Sequence, residues 1–519
     1  MKICLINPPS LSDNFHNMNY DPYSQRVQST GLGYIAAILD QQGYSVDVIE
    51  CYPKSMTIGE LFEILDKNRY PVIGISSFYY NFINVVRIAN KIKKLYPSTF
   101  VFLGGFYATL NTNDAFESIK NLDCCVIGEG EYTTLELIRA LTNNQDFRAI
   151  PGIAYNENGK VTFTSPRPFL TNLDELPIPR ITYLSKNGMA GIVSSRGCYG
   201  KCTFCALSTY NQLFTGPRVR NRTAQNIVDE IKYLINEHAV QSIVFFDDNF
   251  LISSKRNRAT LMAFYQLLKK EHLNFKFQIT ARANDIEKSS DLILMLKEVG
   301  LDVIFVGVES FVERQLKFFN KKTTVEQNIR AMEILNRLDV LYSIGLIMIE
   351  PFTTIDEILT NLTYIKRINY CKVKHAANLP ISVIQPLQPI IGSAAFDIIK
   401  EKGLLHNNEV GYKFVNPDVS YFWSIMSQWR KMVFPVARKY DLIYKAEHYE
   451  LSDLYNQLVI EKQTLMEVDL DFLTALCVGI QQKKISSGND TEFLQSRKER
   501  LDFIESRFRD AEIELAEYK

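Results

Sequence analysis

Twice along its 519 residues this chain alternates short apolar runs with amphipathic helical stretches, and that rhythm leaves few folds open to it. Parallel strands need a crossover between them, so repeated strand–helix alternation builds a parallel sheet covered on both faces. In residues 1–142 the strand-like runs are KICLIN (2–7), SVDVIE (45–50), PVIGIS (71–76), TFVFLGG (99–105) and DCCVIG (123–128). Helical stretches fall near 31–42, 58–67, 82–95 and 131–142. The pattern predicts an α/β domain with a doubly wound sheet and a ligand crevice at its carboxyl edge. Residues 143–188 break the rhythm with a small hairpin around Asn156–Lys160 and the proline-bearing linker LDELPIPR. Strands are then predicted at 190–195, 241–247, 275–281, 302–308, 341–348 and 378–384. These strand–helix units, over 189–390, suggest a partial barrel with its chemistry at the strand carboxyl ends. Residues 391–519 read as mainly helical, with a charged, solvated face on the last helix and a possible capping role over the barrel mouth.

Composition narrows the function. The 58 basic and 58 acidic residues cancel, which gives no sign of a nucleic-acid partner. No apolar run reaches the roughly 18 residues that span a bilayer. The start, MKICLINPPS, reads as a first strand rather than a signal peptide. Nine scattered cysteines argue against a disulfide framework and for a reducing, cytoplasmic setting. Cys4, Cys51, Cys124, Cys125, Cys371 and Cys477 have no ligand-like spacing and read as small buried apolar residues, so no auxiliary cluster is expected.

Cys198, Cys202 and Cys205, in CYGKCTFC, are different. Closely spaced thiolates ligate iron–sulfur clusters or zinc. Structural zinc wants a fourth ligand, yet the next His is His238 and the next Cys is Cys371. A Cys-x3-Cys-x2-Cys run supplies three ligands and leaves one iron of a 4Fe-4S cubane open. It resembles the motif of the radical S-adenosylmethionine enzymes, in which the open iron chelates the methionine part of the cofactor. The resemblance implies further S-adenosylmethionine ligands at successive strand ends: Phe204 against adenine; Asp247, Asp248 and Asn249, in VFFDDNF, for the methionine amino group; Gln278 and Arg282 on the third strand, Arg282 for the carboxylate; Glu309 and Ser310, in FVGVES, for the ribose hydroxyls. The fifth strand, SIGLIMIEP, matches the apolar strand beside adenine, with Glu350 where Gly is usual.

The first domain resembles the cobalamin-binding domain that precedes the radical domain in one large group of these enzymes. The matching stretches are NPP (7–9), TGLGYIAAIL (30–39), ISS (75–77), FLGGFYAT (102–109) and VIGEGEYTTLELI (126–138). The implied fold is a Rossmann-like domain over 1–142, a partial (β/α)6 TIM-type barrel over 189–390 and a helical region beyond. Implied cobalamin-binding residues are Asn7, Gly31, Leu32, Ser76, Ser77, Tyr79, Gly104, Gly105, Phe106, Gly128, Glu129 and Glu131. No Asp-x-His-x-x-Gly motif supplies a lower axial ligand. Phe78, Tyr79, Tyr80, Phe106 and Tyr107 crowd the loops where corrin would lie, either stacking beneath it or filling its crevice. Glu129 and Glu131 read equally as helix N-terminal charges, domain-interface groups or cofactor-edge groups. The implied function is radical methylation of an unactivated carbon, with a rearrangement, cyclisation, epimerisation or cleavage enzyme as the rival and a non-catalytic metal sensor behind both. Implied partners are a small-molecule or peptide substrate and a flavodoxin- or ferredoxin-type electron donor. The aromatic stripe Tyr421, Phe422, Trp423 and Trp429 reads as core, and His375 and His406 have no assigned role.

Overall fold

The computed structural model describes residues 1–9, 27–185, 188–368, 370, 384–408, 410–437, 439, 442–443, 446, 451–485 and 490–516. The sixth barrel strand expected at 378–384 lies almost wholly outside the described residues, as do Cys371 and His375.

The first sheet holds β1 (Lys2–Asn7), β2 (Ser45–Glu50), β3 (Val72–Ser76), β4 (Phe100–Gly104), β5 (Cys124–Val126), β6 (Ile153–Glu157) and β7 (Lys160–Phe163). Their spatial order is β2-β1-β3-β4-β5-β6-β7. The first five are parallel, and both faces are buried, as the near-continuous apolar runs require. Along β1, Ile3 and Leu5 join Val46, Val72 and Phe102 under one helical layer, while Cys4 and Ile6 join Ile73, Ile75 and Val101 under the other. The hairpin assigned to the linker in fact extends this sheet: β6 pairs antiparallel with β5, and β7 with β6. The rest of the linker is strapped to the same domain, where the Arg180 backbone N–H donates to the Gly33 carbonyl at 3.0 Å and its guanidinium pairs with Asp40 at 2.9 Å. Two short helices after β4, Phe106–Leu110 and Thr112–Ser118, were not expected from the sequence.

The second sheet contains β8 (Met189–Ile192), while β9 (Ser195–Arg196) and β10 (Arg220–Asn221) form a separate antiparallel pair. β11 (Ser242–Phe245), β12 (Lys276–Arg282), β13 (Leu301–Glu309) and β14 (Leu341–Leu346) complete it in the all-parallel order β14-β13-β12-β11-β8. Alternate residues, such as Phe277, Ile279 and Ala281 on β12 and Ile304, Val306 and Val308 on β13, pack under the outer helices. Their neighbours Thr280, Phe305 and Ser343 stand in register on the inner face, where Phe305 stays 44% exposed.

The C-terminal helices Pro417–Ala437, Ser452–Gln481 and Asp490–Ala516 pack on one another and lean on the barrel's outer helix Ile355–Arg367. Trp429 is core there: it stacks on Phe472 at 4.2 Å and its indole N–H donates to Asp469 at 2.9 Å. The segment 384–395, which includes the start of the region expected to cap the barrel, touches both domains. Leu387 N–H donates to the Ile349 carbonyl at 2.7 Å, Ala395 N–H to Thr203 at 2.8 Å, and Gly392 lies against Leu110. His406 is exposed. No helix among the described residues is long and apolar enough to cross a membrane.

The crevice edge of the first sheet depends on Gly105, with φ 94° and ψ −177°. A Cβ there would sit 2.6 Å from the Ser77 carbonyl oxygen, which accepts the Tyr107 N–H at 3.0 Å. Gly105→Ala is expected to destabilise the protein by about 1–3 kcal/mol, because this conformation is open almost only to glycine. Equilibrium urea unfolding checks it.

Candidate active site

The cysteine loop begins where β9 ends. Gly197, at φ 89°, passes so close to the 218–219 backbone that a Cβ would lie 1.7 Å from the Arg218 carbonyl. Only glycine fits, and the turn delivers Cys198, Cys202 and Cys205 to the barrel's carboxyl end. All three are free thiols; Cys202 is buried and the others half-buried. The Gly200 N–H donates to Cys198 Sγ at 3.3 Å, and an Arg282 guanidinium N–H donates to Cys202 Sγ at 3.3 Å. Thr203 anchors the loop, its N–H and hydroxyl donating to the Phe319 and Phe318 carbonyls at 2.9 Å each. Burial pushes the Cys205 thiol up to about 12 and also raises Cys198, so a bound cation is what would hold them as thiolates. Among the described residues no three His, Cys, Asp or Glu side chains are gathered to hold one metal ion. A cubane makes a different demand, taking each thiolate on a separate iron, and three soft sulfur donors on one loop suit it.

Around this loop the expected S-adenosylmethionine ligands divide. Phe204 is half-buried, edge-on to Phe319 at 5.7 Å. Arg282 is buried between Cys202 and the Lys321 carbonyl, beneath the Tyr199 ring at 5.2 Å. Gln278 lies half-buried two positions along the same inner face of β12 as Thr280. Glu309 ends β13 in the left-handed region, at φ 65°, and its carboxylate receives the Lys321 ammonium at 2.6 Å. The other positions depart from expectation. Asp247 is tied back to β8, accepting from the Ser194 hydroxyl at 2.9 Å, and burial raises its carboxyl to about 6. Asn249 donates to the buried Asp285 at 2.9 Å. Ser310 is fully buried and turned toward the outer helices, its hydroxyl bonded to Gln315 and Asn361. Asp248 points into the space between the two domains. Tyr199, Asp285 and Lys321 belong to the site yet carried no sequence signal: Tyr199 is an ordinary loop residue, and Lys321 comes from a loop remote in sequence. Near the cluster loop Arg282 Nε, Asn249 Oδ1, Asn284 Oδ1 and Thr323 Oγ1 are buried without a protein partner. Polar atoms orphaned in this way are open to a bound ligand or ordered water.

A cavity of about 740 Å³ separates the domains. Its floor is the carboxyl edge of the first sheet, with Asn7, Gly31, Leu32, Ser76, Gly104, Gly105, Phe106, Gly128, Glu129 and Glu131. Its roof comes from the barrel, with Val193, Ser195, Arg196, Gly197, Phe246 and Asp248. Two expected floor residues are absent from the lining. The Ser77 hydroxyl is consumed, donating to the Gly104 carbonyl at 2.8 Å and accepting the Ala108 N–H at 3.0 Å, and Tyr79 points out, 41% exposed. The aromatic crowd also divides. Phe78 and Tyr80 stack at 5.4 Å along one wall, while Tyr107 turns inward onto Phe82 at 3.7 Å. The crevice therefore stays open. Two lining residues, Thr134 and Arg220, each leave one buried polar atom unpartnered, again as a ligand site would.

Charge joins floor to roof. Arg196 pairs with Glu129 at 3.0 Å and with Glu131 at 2.5 Å, and Arg220 pairs with Glu129 at 2.8 Å. Both glutamates are thus interface groups on the cavity wall. Burial alone would raise the Glu129 carboxyl, but the two guanidinium groups outweigh it and hold it below the ordinary range. Asp248 accepts the Gly197 N–H at 2.9 Å and forms no ion pair among the described residues; enclosure raises its carboxyl.

Two predictions follow from these charges. Glu129→Ala leaves Arg220 buried without its carboxylate, an expected loss of about 3–5 kcal/mol in denaturant unfolding. The Glu129 pKa is depressed in the fold, so its contribution is complete above the unfolded value of about 4.3 and disappears as pH falls through the folded one. Asp247 has the opposite sign. Its raised carboxyl makes wild type lose stability relative to Asp247→Asn as pH rises from about 4 through about 6, measurable by unfolding at pH 5 and pH 8.

Two family models match the chain: the radical SAM superfamily over residues 192–365 and the B12 binding domain over residues 22–138. An uncharacterised methyltransferase of Pyrococcus horikoshii is 28% identical over 382 residues, covering 71% of this chain and 78% of its own length. An anaerobic magnesium-protoporphyrin IX monomethyl ester cyclase of Synechocystis is 24% identical over 350 residues, covering 66% of this chain and 67% of its own. The solved structure of the cobalamin-dependent S-adenosylmethionine radical enzyme OxsB shares the fold, with a TM-score of 0.76 at 18% identity over 99% of this chain and 81% of that one. The cofactors that go with the two matched domains are a 4Fe-4S cluster, S-adenosylmethionine and cobalamin. The chain therefore joins a B12 binding domain to a radical SAM domain, in the fold of a cobalamin-dependent S-adenosylmethionine radical enzyme.

Proposed function

We propose that this protein methylates an unactivated carbon of a small-molecule or peptide substrate, taking its electron from a flavodoxin- or ferredoxin-type donor. One observation carries the reading. A single cavity is lined by Asn7 and Gly104 at the edge of the first sheet and by Phe246 and Asp248 at the end of the barrel, so a group bound on one domain faces a group bound on the other. A cluster on the cysteine loop would supply the electron for cleaving S-adenosylmethionine, and cobalamin at the edge of the first sheet would supply the methyl group. In this reading Cys198, Cys202 and Cys205 hold the cluster, and Arg282 answers the methionine carboxylate. Glu309, preset by Lys321, accepts from ribose hydroxyls. Asp248 offers an unpaired carboxylate to an ammonium or hydroxyl group. Phe78, Tyr80 and Phe106 line the wall as apolar surface that excludes water.

Product analysis tests it. Anaerobic turnover is expected to give S-adenosylhomocysteine and 5′-deoxyadenosine in equal amounts, each matching the methylated product. Cys202→Ala is expected to lose cluster iron and deoxyadenosine formation together. Deoxyadenosine alone, from protein that purifies without corrin, would reject methylation in favour of a rearrangement or cyclisation, the reaction class suggested by the cyclase relative.

A further inference from the structure

The barrel surface over the cluster loop carries charge that the site itself does not use. Tyr199 and Lys201 are exposed on the loop. Asn320 donates to the Lys201 carbonyl at 2.7 Å, which brings the neighbouring exposed Lys317 and Lys322 to the same rim. Lys402 lies 5.7 Å from the Phe352 ring, which packs on Phe318, the residue that anchors Thr203. None of these four lysines forms an ion pair among the described residues. Carboxylates near by are either engaged or outnumbered. Glu287 pairs with Arg330 at 2.7 Å, Glu313 accepts the Val325 N–H at 2.7 Å, and Asp397 and Glu401 stand on the helix of Lys402. In a chain whose formal net charge is zero, this is a local positive excess.

The excess sits over the shortest way in. The exposed Tyr199 ring lies 5.2 Å from the Arg282 guanidinium, which is itself 3.3 Å from Cys202 Sγ. On the opposite side the cluster loop faces the enclosed interdomain cavity and the buried barrel. Among the described residues, the lysine side is the exposed approach to the loop. We propose that Lys201, Lys317, Lys322 and Lys402 form the docking face for an acidic one-electron carrier protein, with flavodoxin as the occupant. Electron-transfer encounters bury little area and are driven by charge complementarity, so unpaired lysines around an exposed aromatic ring suit a brief, fast contact. This inference rests on the cluster assignment and not on methyl transfer, and either can fail without the other.

The test uses full-length, cluster-loaded protein and a bacterial flavodoxin, without any substrate. Lys317→Glu with Lys402→Glu leaves the cysteine loop untouched, and Lys498→Glu on the last helix is the control. Calorimetric binding of oxidised flavodoxin, and the rate of cluster reduction by its hydroquinone, are expected to weaken about ten-fold at low ionic strength in the double variant. The gap should close at high salt. Titanium(III) citrate should reduce wild type and variant equally, and the control should behave as wild type. Ferredoxin in place of flavodoxin should compete for the same face. Wild-type binding and reduction in the double variant at low salt would overturn the proposal. So would an equal slowing with titanium citrate, because that marks a damaged cluster rather than a lost contact.

Discussion

The buried ion-pair network between Glu129, Glu131, Arg196 and Arg220 is the contact on which the rest of the arrangement depends. It joins the last loop of the first sheet to the short β9–β10 ribbon at the barrel rim. A network of this kind contributes little net stability, since desolvation offsets most of the attraction. Its value lies in geometry. Arg196 divides its two terminal nitrogens between Glu129 and Glu131, so its planar guanidinium fixes both carboxylates in one geometry. These four side chains line the cavity and bridge its floor to its roof. Cation–π contacts of Arg220 over Phe169 at 4.3 Å and Arg196 over Tyr34 at 5.5 Å hold the arginines in place from behind.

The features legible in the sequence were those written locally. Strand runs and their carboxyl-end loops follow from apolar periodicity, and β1, β2 and the cysteine loop fall where the pattern puts them. Residues Asn7, Gly104 and Glu129 were legible because a strand end fixes where its next residue must go. Side-chain direction was not. Ser310 follows Glu309 directly, yet Gln315 and Asn361, the latter remote in sequence, turn it outward. Asn249 is claimed by Asp285 in the same way, and Asp247 by Ser194. With Asp248 accepting the Gly197 N–H, the three adjacent polar residues 247–249 serve three different neighbours, and no spacing rule distinguishes them. Lys321 was invisible for the complementary reason: its role is created only when the loop after Phe319 folds back over Glu309.

The same division explains the aromatic residues of the first domain. Taken as a string, Phe78, Tyr79 and Tyr80 look equivalent. On the fold, Phe78 and Tyr80 stack on the cavity wall while Tyr79 lies outside it, because the segment turns there, with the Asn81 N–H donating to the Phe78 carbonyl at 3.2 Å. Tyr107 is withdrawn by its hydroxyl, which donates to Asp114 at 2.5 Å. Crowding in the sequence becomes a smooth wall in space. The linker behaves in a related way. Its prolines read as a crossing between domains, and β6, β7 and Arg180 bind it to the first domain.

The Arg282 contact with Cys202 carries a consequence for redox poise. A cation donating a hydrogen bond to a cluster sulfur favours the more negative, reduced form, so it raises the reduction potential of whatever cluster that sulfur ligates. The same guanidinium is locked by the Lys321 carbonyl and stacked on Tyr199. Its charge is therefore a fixed part of the cluster's surroundings, and the ease with which this site accepts an electron is set by the folding of a loop some forty residues farther along the chain.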